Sequence, residues 1–172
     1  ETADLPYGGM ENQMKTIRVK EEWQRAGVYY VRTQAMVLGF NLSLEGEFAD
    51  DTPDGKYILV TDDHGKPLST NRIHLLPERN LAKIERVATI STARGLGAGA
   101  AGILAAEDWI RELGYSHIVI TSRKEAEGFY HKLGYITRED MNPDTLELKK
   151  PSDPVREVRD PRFICVYMEK QL

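Results

Sequence analysis

The residues best able to do chemistry lie together in Thr89-Ile90-Ser91-Thr92-Ala93-Arg94-Gly95-Leu96-Gly97-Ala98-Gly99-Ala100, between an apolar strand pattern and a long amphipathic helix pattern. Three glycines in five positions let the backbone turn tightly and let a ligand approach without meeting a Cβ. The following helix leaves its first amides unpaired, with the positive end of its dipole beside them. That combination predicts an anion cradle with a phosphate as guest, to which Arg94 can add a bidentate contact. A Walker loop needs Lys followed by Ser or Thr after its last glycine, and here Ala100-Ala101 follows Gly99. Gly95, Gly97 and Ala100 do fit the dinucleotide pattern G-x-G-x-x-G/A, which leaves open a nicotinamide- or flavin-dependent oxidoreductase. Against it, the corner lies past the middle of the chain, and no acidic residue ends the next strand pattern, Ile118–Ser122. A ligand-free glycine turn is a third reading, although glycines at a helix entrance weaken the helix unless something is gained.

Read from its arginine, Arg94-x-x-Gly97-x-Gly99 resembles the pyrophosphate signature R-x-x-G-x-G/A of the GNAT superfamily of N-acetyltransferases. Downstream, Ala126-Glu127-Gly128-Phe129-Tyr130-His131-Lys132-Leu133-Gly134-Tyr135 is similar to that family's A-x-x-F-Y-x-x-x-G-F/Y segment. The pair is far more specific than either part, and the resemblance is close from Lys56 to Tyr135. It implies an α/β fold in three layers: a mixed six- or seven-stranded sheet with a V-shaped split and helices on both faces. The implied co-substrate is acetyl-CoA. Arg94, Gly95, Leu96, Gly97, Ala98, Gly99 and Ala100 would hold its diphosphate, and the main chain of Val87, Ala88 and Thr89 its pantetheine arm and acetyl carbonyl. Phe129 and Arg123 are further cofactor contacts; Arg123 stands where many members carry Asn. Tyr130 would protonate the departing thiolate.

Acetyl transfer to an amine also needs the ammonium deprotonated, and Glu85 is placed for that, directly or through a water. The competing reading of Glu85 is a cross-strand ion pair, for example with Arg72. The expected reaction is transfer of acetyl to a primary amine of a small molecule or peptide, by direct attack in a ternary complex. A non-catalytic acyl-CoA-binding module on the same scaffold is the alternative, and retention of Tyr130 favours the enzyme.

The positioning elements follow from periodicity. Thr16–Lys20 reads as a strand, then a helix runs from Glu21-Glu22 to Leu38 on an apolar stripe of Trp23, Ala26, Tyr30 and Val37. A short helix covers Leu42–Phe48. In the family this helical pair walls the acceptor site, which makes Tyr29, Tyr30 and Met36 candidates for lining it. Asp50–Gly55 is an acidic turn read as solvated. Lys56–Thr61, Pro67–Leu75 and Leu81–Ile90 form a meander. Alternation on the last puts Lys83, Glu85, Val87 and Thr89 on one face and Ile84, Arg86, Ala88 and Ile90 on the other. From Gly99 to Leu113 a helix carries Ile103, Ala106, Ile110 and Leu113 inward, with Glu107 and Arg111 as an exposed pair. His117–Ser122 is a strand parallel to Leu81–Ile90. Lys124–Leu133 is a short helix, a strand begins at Tyr135, and Phe163–Glu169 is the last strand. The charged, proline-bearing stretch 138–161 reads as a solvated loop or an acceptor flap in which Glu139, Asp140 and Asp144 attract a cation.

Composition sets the bounds. The chain has 172 residues, 41% hydrophobic and 29% charged, enough for a real core without disulfides. A net charge of −4 and a pI near 5.6 argue against nucleic acid or a membrane surface as partner. Cys165 is read as a core residue, and the four histidines lack metal-ligand spacing, so no metal is expected. A cytoplasmic address follows as the default. Residues 1–13 lack periodicity and are read as a disordered leader before a single domain over 14–172; a homodimer is left open.

Overall fold

The computed structural model describes residues 14–158 and 160–172; the expected leader at 1–13 lies outside them. It is a mixed α/β fold with helices and one seven-stranded open sheet. In chain order the elements are β1 (Lys15–Arg18), α1 (Glu22–Arg32), α2 (Leu44–Phe48), β2 (Lys56–Thr61), β3 (Pro67–Leu76), β4 (Leu81–Thr89), α3 (Ala98–Glu112), β5 (His117–Arg123), α4 (Glu127–Lys132), β6 (Ile136–Thr137) and β7 (Cys165–Gln171). The strand order is β1-β2-β3-β4-β5-β7-β6. β1 and β2 pair antiparallel, as do β2 and β3, whereas β4 runs parallel to β5 through Ala82↔Ile118 and Lys83↔Val119. The last strand inserts between β5 and β6, antiparallel to both. Among the described residues no helix is long and apolar enough to cross a membrane.

Contacts divide the chain into two units, one running to His74 and resuming over Ile84–Leu113, the other comprising Leu75–Lys83 and Gly114–Leu172. In the first, α1 packs on the sheet through Val28 against Val19, Tyr57 and Leu59. Gly27 permits that approach, since a Cβ there would stand 2.9 Å from Leu59 Cδ2; the close contact outweighs the roughly 1 kcal/mol that glycine costs a helix interior. The buried stripe of α1 is Val28, Val31 and Arg32, continued by Ala35 in a π-helical segment over Thr33–Leu38. This corrects the expected stripe: Trp23 is 62% exposed and Tyr30 49%. α3 buries Ala98, Gly102, Ile103, Ala106, Glu107 and Ile110. Glu107 is therefore inside rather than on an exposed pair with Arg111, which bonds Asp108 instead.

In the second unit, Leu81, Val119, Leu146 and Tyr167 form a core. Leu146 belongs to the 138–161 stretch, so that stretch is not simply a solvated loop. It is fastened by Arg79, which donates to the carbonyls of Thr145 and Leu146, and by the Thr121 hydroxyl, which donates to the Pro143 carbonyl at 2.8 Å. Phe163 sits in a 3-10 turn ahead of β7 rather than in the strand.

The acidic turn after α2 is also not solvated. Arg32 is fully buried, and its guanidinium donates to both carboxylate oxygens of Asp51 (2.7 and 2.8 Å) and to Glu47 (3.1 Å). The Tyr57 hydroxyl donates a hydrogen bond to Asp51 as well, and Arg72 reaches the same carboxylate at 3.2 Å. Burial pushes the Asp51 carboxyl up, but the hydrogen bonds from Arg32 and Tyr57 and the charges of Arg32 and Arg72 outweigh it and hold it below the usual range. Removing one member of such a network strands its partners in low dielectric. Arg32→Met should therefore cost about 3–5 kcal/mol, read as a lowered urea midpoint. A change under ~1 kcal/mol would show the network to be dispensable.

Candidate active site

The glycine corner takes the shape its residues require. After β4 a 3-10 turn covers Ser91–Ala93, then Gly95 and Gly97 adopt φ of 78° and 87°. An L-residue pays roughly 1–2 kcal/mol for that region, so glycine here is a backbone requirement. Gly97 is the N-cap of α3 and supplies no side-chain acceptor; its carbonyl receives the amide of Ala101 at 2.9 Å. The amides of Ala98, Gly99 and Ala100 precede that first helical bond. They form the uncapped positive end of a 15-residue helix. A Cβ built on Gly95 meets nothing within 4 Å. Open space, glycine backbone and unpaired donors fit a diphosphate, which is the group acetyl-CoA would present here.

Beside this corner, in the same unit, lies a pocket of about 500 Å³ lined by Pro67, Leu68, Ile90, Ala93, Leu96 and Tyr30, with Asp62, Lys66 and Thr92 as its polar members. Tyr30, expected on the acceptor wall, faces this pocket. Tyr29 instead stacks edge-on with Phe48 and Tyr57, and Met36 packs with Ile90 against Val31, Ala35 and Ala88. Ala88 is buried, and its carbonyl accepts from the Ser69 hydroxyl at 2.9 Å; Ser69 also lies 2.8 Å from the Thr89 hydroxyl. Val87 and Thr89 are half-buried.

Strict alternation along β4 fails at Arg86, whose φ is 51°. That left-handed residue breaks the period of two, so Glu85 and Arg86 do not serve opposite faces as expected. Both join one charge cluster: Arg72 donates to Glu85 at 3.0 Å and to Asp50 at 3.0 Å, and Arg86 donates to the same Asp50 oxygen at 3.0 Å. The ion pair considered for Glu85 is thus present. Partial burial raises the Asp50 carboxyl, but the hydrogen bonds and charges of Arg72 and Arg86 prevail and hold it at about 2. His74 adds a nitrogen 3.7 Å from Glu85. Sequence reading passed over His74, because only the β3–β4 pairing reveals its neighbour.

In the second unit, Tyr130 is buried at 5% exposure on α4, edge-on to Phe129 at 4.9 Å and to Tyr135 at 6.0 Å. Burial pushes its phenol well above the ordinary range, against a smaller lowering by the charge of Arg123. The hydroxyl is therefore protonated at neutral pH and able to donate. Arg123 pairs loosely with Glu125 at 3.4 Å. Burial likewise raises the Cys165 thiol, so it is not an activated nucleophile. Among the described residues no group of three His, Cys, Asp or Glu side chains could hold a metal ion.

Comparison with known proteins agrees with this arrangement. Residues 17–135 match the acetyltransferase (GNAT) family, and the chain belongs to it. It is an N-acetyltransferase. An uncharacterized N-acetyltransferase of Bacillus subtilis, YjcF, is 28% identical over 122 residues, covering 71% of this chain and 85% of that protein. A crystal structure assigned as an N-acetyltransferase of Lactobacillus plantarum superposes with a TM-score of 0.75 at 28% identity, over 94% of this chain and 99% of the other. The fold is shared with N-acetylglutamate synthase of Neisseria gonorrhoeae, solved with coenzyme A and N-acetyl-glutamate, at a TM-score of 0.63 and 13% identity over 92% of this chain and 35% of that one.

Two outcomes follow. Gly97→Ala should lower stability by roughly 1–2 kcal/mol through its φ alone, measured in urea; an unchanged midpoint would mean that the corner relaxes freely. Because the folded Asp50 carboxyl lies at about 2, below the roughly 3.9 of an unfolded aspartate, its ion pairs stabilise fully above that unfolded value. They are lost as pH falls from about 4 towards 2. Acid titration by circular dichroism should show stability declining across that window, and in Asp50→Asn this decline should be smaller.

Proposed function

We propose that this acetyltransferase moves an acetyl group from acetyl-CoA to a primary amine of a small molecule or peptide, by direct attack within a ternary complex. The observation that carries the reading is the uncapped start of α3 behind two positive-φ glycines, a feature that costs stability unless an anion is held there. Arg94 and the amides from Gly95 to Ala100 hold the diphosphate. The main chain of Val87, Ala88 and Thr89 receives the pantetheine arm and the acetyl carbonyl, with Phe129 and Arg123 as further contacts. Bound acetyl-CoA supplies an activated acyl carbon and a thiolate leaving group. Glu85 serves removal of the amine proton, directly or through a water, and Tyr130 gives its phenolic proton to the thiolate. A phenol carries its proton at working pH, as a proton donor must, and Tyr130 stands on α4 beside Phe129 in the segment that resembles the family's. One domain over 14–172, acting in the cytoplasm without metal, completes the proposal.

The test is thiol release from acetyl-CoA against a panel of spermidine, an aminoglycoside, free amino acids, and peptides offering a lysine or an amino terminus. Tyr130→Phe should lower kcat by about 10²–10⁴-fold with acetyl-CoA affinity nearly intact, and Arg94→Ala should weaken acetyl-CoA binding instead. Unchanged turnover in Tyr130→Phe would remove that residue from the mechanism.

A further inference from the structure

Glu85 is poorly suited to take a proton from the amine itself. The Nε of Arg72 donates to its Oε1 at 3.0 Å, and Arg72 is nearly buried and held by Asp50 and Asp51. One of its carboxylate oxygens is thus already engaged by a guanidinium that two further carboxylates hold in place. The same Oε1 stands 3.7 Å from Nδ1 of His74, within ion-pair reach and at a separation that closes on substrate binding in many enzymes. Glu85 is four-fifths covered, whereas the side chain of His74 is 57% exposed. The imidazole is the member of this pair that an incoming molecule can touch.

We infer that His74 is the catalytic base of the reaction, with Glu85 as its positioning carboxylate and Arg72 fixing Glu85. The inference rests on the proposed amine acetylation and deepens it. Once that separation closes to hydrogen-bond distance, Glu85 facing Nδ1 selects the tautomer with the proton on Nδ1, which leaves the Nε2 lone pair for the acceptor. As the amine nitrogen bonds the acyl carbon and the carbon–sulfur bond breaks, Nε2 takes the nitrogen's proton and Tyr130 protonates the thiolate. The imidazolium formed rests against the Glu85 carboxylate. Its proton then returns through solvent to the phenolate, so each turnover consumes one amine and one thioester and yields one amide and one thiol. Charged groups facing this pair include Arg72, and through it Asp50, Asp51 and Arg86.

The test uses the full chain, acetyl-CoA and the amine of the panel with the fastest thiol release. His74→Ala should lower kcat by about 10²–10³-fold with acetyl-CoA affinity and circular dichroism unchanged. Imidazole added to the assay should restore at least tenfold of the loss, a rescue that a merely structural role would not give. A His74→Ala rate within twofold of wild type, or a loss that imidazole leaves untouched in a folded, acetyl-CoA-binding variant, overturns the assignment. Wild-type protein that turns over no amine overturns the acceptor chemistry instead, and the base with it.

Discussion

The constraint on which the structure depends is a helix that begins without a cap. Most helices satisfy their first amides with a side chain from the preceding residue, and α3 has a glycine there, in a conformation closed to most other residues. The loss is confined to one turn, and the rest of α3 is well anchored. Gly102 lies close against Val60 and Asn71, and Arg18 reaches from β1 to Glu112 at the far end. A rigid helix therefore presents unpaired donors at a fixed place. That geometry suits an anion better than it suits folding, and the proposed diphosphate site is its physical justification.

A second constraint is the chain of charges from Arg32 through Asp51, Arg72 and Asp50 to Arg86 and Glu85. Each arginine is held by at least one carboxylate, and each carboxylate by at least one arginine, so charge is buried in compensated pairs. The network ties α1 and the loop after α2 to β3 and to the irregular point of β4. Its effect on the proposed chemistry is indirect: it fixes the carboxylate of Glu85 and leaves His74 as the accessible group beside it.

Much of the fold was legible because it is local. The glycine corner, the meander, α3 and the Tyr130 helix announce themselves in short windows of sequence, and their limits in the structure fall within a few residues of expectation. What was not legible depends on partners distant along the chain. Asp51 looks solvated beside Asp50 and Asp54, yet the arginine that buries it lies 19 residues earlier. Glu107 looks like an outward charge, although its spacing from Ile103, Ala106 and Ile110 puts it on the buried stripe. Trp23 and Tyr30 looked like core because they are large and apolar, and size says nothing about which face a neighbouring strand covers. Arg86 could not be seen as the break in β4, since a left-handed arginine has no signature in sequence. Of the proposed site residues, those on the glycine corner are readable from spacing, whereas His74 becomes visible only through its neighbour on β4.

The most direct measurement of the central claim is amide NMR of 15N-labelled protein titrated with coenzyme A. Saturable shifts of the Gly97, Ala98, Gly99 and Ala100 amides, in the downfield direction that hydrogen bonding to an anion produces, are the result this account predicts. If those four amides stay where they are while coenzyme A binds elsewhere or not at all, the helix entrance does not hold the diphosphate, and the assignment built on it is contradicted.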